Sequence, residues 1–285
     1  MLTDTHCHLD FPDFDPDRDA VIQRALDQGV TRFVSIGTTL ETSRAALVLA
    51  EQYPTVYATV GVHPNEVMEG PDQIYDLLKD LAAHPKVVAL GECGLDFHYL
   101  PSKVNKSAFA STDAALLSTS SGMLESQMAD DEVKNRQASI FRQQLDLAVE
   151  LGLNVVIHQR DSWTDTLTIL DDYQGKLRAV FHCFGGTLEE AEILVAQNHL
   201  VSFTGLITFK NAQSAQESAA GISPAHFMVE TDCPYLAPVP HRGKRCEPSF
   251  TRLIAERLAF LRGCSLETIA AQTEATANSF FRFKP

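Results

Sequence analysis

Short apolar runs rich in β-branched residues recur along the chain, and between them lie stretches whose apolar positions repeat every three to four residues. The runs are Leu2–Asp4, Arg32–Ile36, Val56–Val62, Val87–Gly91, Asn154–His158, Arg178–His182, Leu200–Phe203 and Phe227–Glu230. Continuous rather than alternating hydrophobicity predicts strands covered on both faces, as parallel strands are. The intervening stretches carry helix signals: Asp15-Pro16 opens one whose Val21, Ile22, Ala25 and Leu26 share a side and which stops at Gly29. This α/β pattern predicts a (β/α)8 TIM barrel over residues 1–285 as one domain. The first strand is not followed by Gly-x-Gly-x-x-Gly, which weighs against a dinucleotide-binding sheet.

One segment breaks the rhythm. Residues 101–134 are rich in Ser and Ala and read as an insertion, either a peripheral, partly helical excursion or a lid over the mouth. Ala114–Leu117 with Met123-Leu124 predict a short helix within it. The helical segments after the last strand, with Leu253, Ile254 and Leu258 and then Leu266, Ile269 and Ala270 on apolar faces, are expected to close the barrel.

Composition narrows the class. With 285 residues, 45% hydrophobic and 21% charged, the chain can bury a substantial core. No apolar run reaches the roughly 20 residues of a membrane span, and the start is acidic rather than basic then apolar, so a cytoplasmic monomer without a membrane partner is expected. The six cysteines include no Cys-x-x-Cys pair and read as reduced thiols. A net charge of −14 disfavours a broad nucleic-acid footprint, although bound cations or a local basic patch reverse the sign where it matters.

The polar residues that end the predicted strands are the chemically informative ones: His6 and His8, His63, Glu92, His158, His182 and Asp232. In a (β/α)8 barrel these ends form one rim, so residues distant in sequence converge there. Along an extended strand His6 and His8 face the same way and can reach one metal ion while Cys7 points away. Even four of these imidazoles with the two carboxylates exceed what one ion needs, which implies two divalent ions: zinc, manganese or magnesium. Glu92 is best suited to join them, because a carboxylate has two oxygens and an imidazole cannot bridge in this way. Cys7, Cys93, Cys183 and Cys233, each directly following one of these residues, read as small core residues.

These residues sit in longer motifs: Asp4-Thr-His6-Cys-His8, Gly61-Val-His63-Pro64, Gly91-Glu92-Cys-Gly94-Leu95-Asp96, Val156-Ile-His158-Gln-Arg160-Asp161, His182-Cys-Phe184-Gly185, Ser202-Phe-Thr204-Gly205 and Glu230-Thr-Asp232-Cys-Pro234-Tyr235-Leu236. Together they resemble the TatD family of metal-dependent deoxyribonucleases among the amidohydrolase-like barrels, essentially end to end apart from 101–134. The resemblance implies one metal held by His6, His8, Glu92 and Asp232 and a second by Glu92, His158 and His182, with His63, Arg160 and Tyr235 near the substrate. Two departures stand out. Cys246-Glu247-Pro248 replaces a usual Asn-Glu-Pro, and Ala225-His226 a commoner Asp-Arg.

The chemistry this predicts is metal-assisted phosphodiester hydrolysis, with Glu92 and Asp232 catalytic and Asp232 orienting the attacking water and accepting its proton. Arg160 and Lys210 are expected to bind phosphate. The run Arg242, Lys244, Arg245 reads either as a basic edge that contacts substrate through Arg242 or as a solvated loop. A small positive mouth favours strand ends, hence 3′-end exonuclease action on single-stranded DNA. Two other classes compete. A metal-dependent ester or amide hydrolase, for example on aminoacyl-tRNA, uses the same barrel, although Glu92 in place of a carboxylated lysine favours phosphoesters. A non-catalytic binding protein would be expected to have lost one of the ligands, and the set here is intact.

Overall fold

The computed structural model describes residues 1–103 and 120–284. Strands and helices alternate as β1 (Leu2–Cys7), α1 (Arg18–Asp27), β2 (Val30–Ile36), α2 (Leu40–Gln52), β3 (Val56–Val60), α3 (Tyr75–Ala82), β4 (Val87–Asp96), α4 (Ser120–Leu151), β5 (Asn154–Arg160) and α5 (Trp163–Asp171). They continue as β6 (Ala179–Phe181), α6 (Leu188–Ala196), β7 (Leu200–Phe203), α7 (Gln213–Gly221), β8 (Phe227–Val229), α8 (Thr251–Arg262) and α9 (Leu266–Phe281). The strands pair in parallel in chain order, β1 through β8. The segment after β8 turns back onto β1, where the backbones of Cys7 and Cys233 pair in parallel, Asp232 N–H donates to the His6 carbonyl at 2.9 Å and His8 N–H to that of Cys233 at 2.9 Å. The predicted TIM barrel is the fold observed, and its closure draws Asp232 beside the two histidines of β1.

Two apolar layers hold the barrel. Side chains such as Phe33, Leu90, Ile157 and Phe203 pack outward against the helices, while Val34, Ile36, Val156, Val180 and Met228 form a second cluster with Phe280 and Phe281 of α9. Those phenylalanines stopper the N-terminal end of the barrel. Asn154 there donates to the Phe280 carbonyl at 2.6 Å, and the Tyr57 hydroxyl to that of Lys284 at 2.8 Å. The C-terminal end is left open for polar groups.

Two expectations need correction. The strand predicted over Val87–Gly91 runs on to Asp96, so Glu92 lies within β4 rather than at its end. Gly91 and Gly94 take positive φ of 133° and 140° inside the strand. A Cβ on Gly94 would sit 2.0 Å from the His158 carbonyl oxygen, so only glycine lets β4 approach β5 there. The pairing with β5 slips between Leu90 and Cys93, a bulge that re-aims Glu92.

Part of the segment 101–134 is helical. Residues 120–134 are the first part of α4, which runs unbroken to Leu151. Asp130 in this part accepts from Ser102 N–H at 2.9 Å. The helix predicted at Ala114–Leu117 lies outside the described residues, and Met123-Leu124 fall within α4. The second correction is that α1 begins at Arg18 rather than at Pro16; the Asp17 carboxylate is drawn to Arg24 and Arg245 instead of capping it.

Among the described residues no helix is long and apolar enough to cross a membrane.

Candidate metal centre

His6 and His8 project from the end of β1 into the mouth, 0% and 4% exposed. His6 Nε2 lies 3.5 Å and His8 Nε2 3.4 Å from Asp232 Oδ1, and His6 Nε2 is 3.3 Å from Glu92 Oε2. The other Glu92 oxygen faces a second group: Oε1 is 2.7 Å from His182 Nε2, 2.9 Å from His158 Nδ1 and 3.4 Å from His63 Nε2. One buried carboxylate thus divides its two oxygens between two sets of imidazoles.

Protons alone cannot satisfy this arrangement. His158 Nδ1 has one proton or one lone pair, yet three acceptor-capable atoms converge on it, Glu92 Oε1, His63 Nε2 at 3.1 Å and His182 Nε2 at 3.2 Å. Both ring nitrogens of His6, Nδ1 of His8 and Nδ1 of His182 are buried without a hydrogen-bond partner, and such groups are costly to leave unpaired. Ligand atoms about 2.1 Å from a tetrahedral ion stand about 3.4 Å apart, close to the spacings among His6, His8, Asp232 and Glu92. Three triads bring one atom from each residue within 4.8 Å of one another: His6, His8 and Asp232; His63, Glu92 and His158; His6, His182 and Glu230. The residues present fit a metal centre.

The charges respond accordingly. Burial opposes ionisation of Glu92, but His182, His63 and His6 around it hold its carboxyl well below the usual carboxylate range. Asp232 is lowered in the same way by His8, His6 and His182 against its burial. Burial lowers His63. His182 is likewise disfavoured as a cation by burial, yet Glu92 and Glu230 lift it well above the ordinary imidazole value.

Three buried carboxylates that sequence reasoning passed over complete the surroundings. Asp96 Oδ2 is 3.1 Å from His158 Nε2, which turns Nδ1 toward Glu92. Glu230 accepts from Cys183 N–H at 2.7 Å and from the Ser202 hydroxyl at 2.5 Å, and its Oε1 is 3.6 Å from His182 Nδ1. Asp4 accepts from Thr231 N–H at 2.9 Å and its hydroxyl at 2.6 Å, bracing the turn that carries Asp232; burial pushes its carboxyl up to about 7.

The expected substrate residues are spread around the rim. His63 is an exception, since its Nε2 lies within the cluster itself. Arg160 is exposed at the end of β5, its guanidinium 3.2 Å from the Tyr99 hydroxyl and over that ring. Tyr235 is 56% exposed, its ring 6.5 Å from that of His8. Lys210 is exposed in the β7–α7 loop, and Arg242 lies 4.3 Å over the Phe209 ring next to it. The basic edge is smaller than its sequence suggests, because Arg245 is turned back onto Asp17 at 2.8 Å and onto the Asp13 carbonyl. Cys7, Cys93 and Cys233 are fully buried, with the Cys7 and Cys93 sulfurs near the Val34 and Val156 carbonyls; Cys183 is half-buried at the mouth.

The family described as TatD related DNase matches residues 3–282. The chain belongs to the TatD family. It is 36% identical over 283 residues to the metal-dependent hydrolase YabD of Bacillus subtilis, covering 99% of each chain. It is 31% identical over 286 residues to the 3′-5′ ssDNA/RNA exonuclease TatD of Escherichia coli K12, covering 98% of each. The crystal structure of YjjV, a TatD homologue from E. coli K12, superposes with a TM-score of 0.83 at 27% identity, over 99% of this chain and 98% of that one. As a TatD-family protein the chain is a metal-dependent hydrolase.

Proposed function

We propose that the protein is a nuclease that removes nucleotides from the 3′ ends of single-stranded DNA with a binuclear metal centre. The observation that carries this reading is the division of Glu92, with Oε2 toward His6 and Oε1 toward His158 and His182. His6, His8, Glu92 and Asp232 would hold one ion, and Glu92, His158 and His182 the other. Two divalent ions there, magnesium, manganese or zinc, would supply a water that ionises near neutral pH and positive charge against the phosphate oxygens. Asp232, kept ionised by His8 and His6, orients the attacking water and accepts its proton. His63 stands beside Glu92 Oε1, and its burial keeps it neutral, so it can hydrogen-bond a phosphate oxygen or complete the second ligand set. Arg160 offers a bidentate fork to phosphate, Lys210 and Arg242 add cations on the far rim, and Tyr235 offers an exposed ring for stacking.

Single-stranded DNA labelled at either end, given to metal-free protein reloaded with each ion, tests the reading. We expect metal-dependent loss of the 3′ label first, about two ions bound per chain, and at least a 10²–10³-fold fall in turnover in Glu92→Ala and Asp232→Ala. No cleavage with any ion, despite two ions bound, would redirect the assignment to an ester or amide substrate.

A further inference from the structure

A hollow of about 470 Å³ opens between the β5–α5 and β6–α6 loops, walled by Gln159, Trp163, Asp165, His182, Phe184 and Glu190 among others. Its position and lining differ from those of the phosphate-binding rim. His182 belongs to both: its Nε2 is 2.7 Å from Glu92, and its ring forms part of the hollow. A group seated here is therefore one imidazole away from the metal centre. Phosphate does not suit the hollow. Among the described residues its lining includes no lysine or arginine but three carboxylates, Asp161, Asp165 and Glu190. Two of these are engaged elsewhere, Asp161 with His98 and Lys103 at 3.1 Å and Glu190 Oε2 with Thr187 N–H at 2.7 Å. Asp165 is exposed in the first turn of α5. The only tryptophan of the chain, Trp163, is half-buried in the wall.

We propose that this hollow is a nucleobase subsite that selects adenine and cytosine, the bases whose 6- or 4-position carries an amine rather than a carbonyl oxygen. The inference rests on the nuclease reading for why a base would be there, since a nucleotide whose phosphate lies at the metals has its base within reach of His182. Aromatic walls take the base's flat face, as stacking does for every base. Selection comes from the carboxylates. An ionised carboxylate only accepts, so the amines of adenine and cytosine pair with Asp165, the carboxylate of the three that is not engaged elsewhere. Thymine presents a carbonyl oxygen at the corresponding edge, which meets the carboxylate acceptor to acceptor. A site built for a donor rejects the analogue that lacks it.

Trp163 makes the test direct, because no other tryptophan contributes to emission. The metal-loaded protein is titrated with dAMP, dCMP, dTMP and deoxyribose 5-phosphate while tryptophan fluorescence is followed. We expect saturable quenching by dAMP and dCMP, about tenfold weaker binding of dTMP, and no quenching by the base-free sugar phosphate. Asp165→Ala should bring the three nucleotides to within about twofold of one another. Rates on oligonucleotides ending in dA, dC or dT should follow the same order. Equal affinities for all three in the unaltered protein, or a preference that survives Asp165→Ala, would overturn the subsite. Base-selective quenching in a protein that cleaves no oligonucleotide would keep the subsite and remove the nuclease assignment, so the two failures are separable.

Discussion

The two ends of this barrel bury polar groups under opposite conditions. At the N-terminal end His199, 4% exposed, accepts the Ala179 N–H at 3.2 Å through Nδ1, and Asn154 donates to the Phe280 carbonyl. Polar atoms there are used to seat α9 under the strands. At the C-terminal end both ring nitrogens of His6 and Nδ1 of His8 and of His182 are buried and unpartnered around one carboxylate. Elsewhere among the described residues such orphans are single and scattered, at His226 and Gln272. One end is thus satisfied by the fold's own contacts, and the other keeps an arrangement that the fold alone does not satisfy. That separation suits an active site, because ligand-ready groups are costly to the fold that carries them.

The largest effect should come from the stopper. Phe280 is fully buried beneath the barrel interior, and Phe280→Ala should cost about 3–5 kcal/mol in denaturant unfolding. Metal stoichiometry in the folded fraction should stay at the unaltered value. A loss of bound metal in protein that remains folded would show that the two ends are not independent.

A pH scan gives the next effect. Burial, with Arg178 nearby, lowers His199 from the ordinary 6.5 to about 4. The unfolded chain takes up that proton first as pH falls, so the folded state loses stability from about pH 6.5 down to about pH 4 and is unaffected above that window. The difference of pKa corresponds to roughly 3 kcal/mol. Chemical denaturation in chelator at pH 7.5 and pH 4.5 should show His199→Leu less acid-sensitive than the unaltered chain by about that amount. Equal sensitivity would mean that the acid response comes from the histidines at the other end.

How legible each end is in the sequence follows the same division. The strand order and barrel are visible in the apolar runs, and the histidines of the mouth are visible because they end those runs. The β4 extension is hidden because Gly91 and Gly94 mimic a stop; only the close approach of β5, a tertiary fact, explains them. Asp96 had a signal that went unread, since it lies four residues after Glu92 and, in a strand that continues, shares its side. Asp4 and Glu230 had only a weak one, because a buried carboxylate looks like any acidic residue until the fold shows Thr231, Ser202 and Cys183 around it. The helix over residues 120–134 is faint in the sequence, because polar positions in this part of α4 weaken the helical repeat.

The smallest effect is the sharpest on the comparison. Glu230 is a buried carboxylate at the open end that, unlike the imidazoles, is well partnered, by Ser202 and the Cys183 N–H. If those contacts are its whole role, it belongs with the structural polar groups of the closed end. Its Oε1 also faces His182 Nδ1 at 3.6 Å, so its charge favours the ring form that keeps a proton on Nδ1 and leaves Nε2 free toward Glu92. Glu230→Gln retains the shape and an acceptor for Cys183 while removing the charge. Outer carboxylates of this kind change metal affinity by about 10–100-fold. We therefore expect ion binding, measured by competition with a chelator, to weaken within that range while the chelated protein loses at most about 1 kcal/mol to denaturant. Weakened binding with unchanged apo stability would place Glu230 with the groups that prepare the centre. Lost stability with unchanged binding would move it to the groups that hold the barrel together, and the boundary between the two ends would then run through the mouth itself.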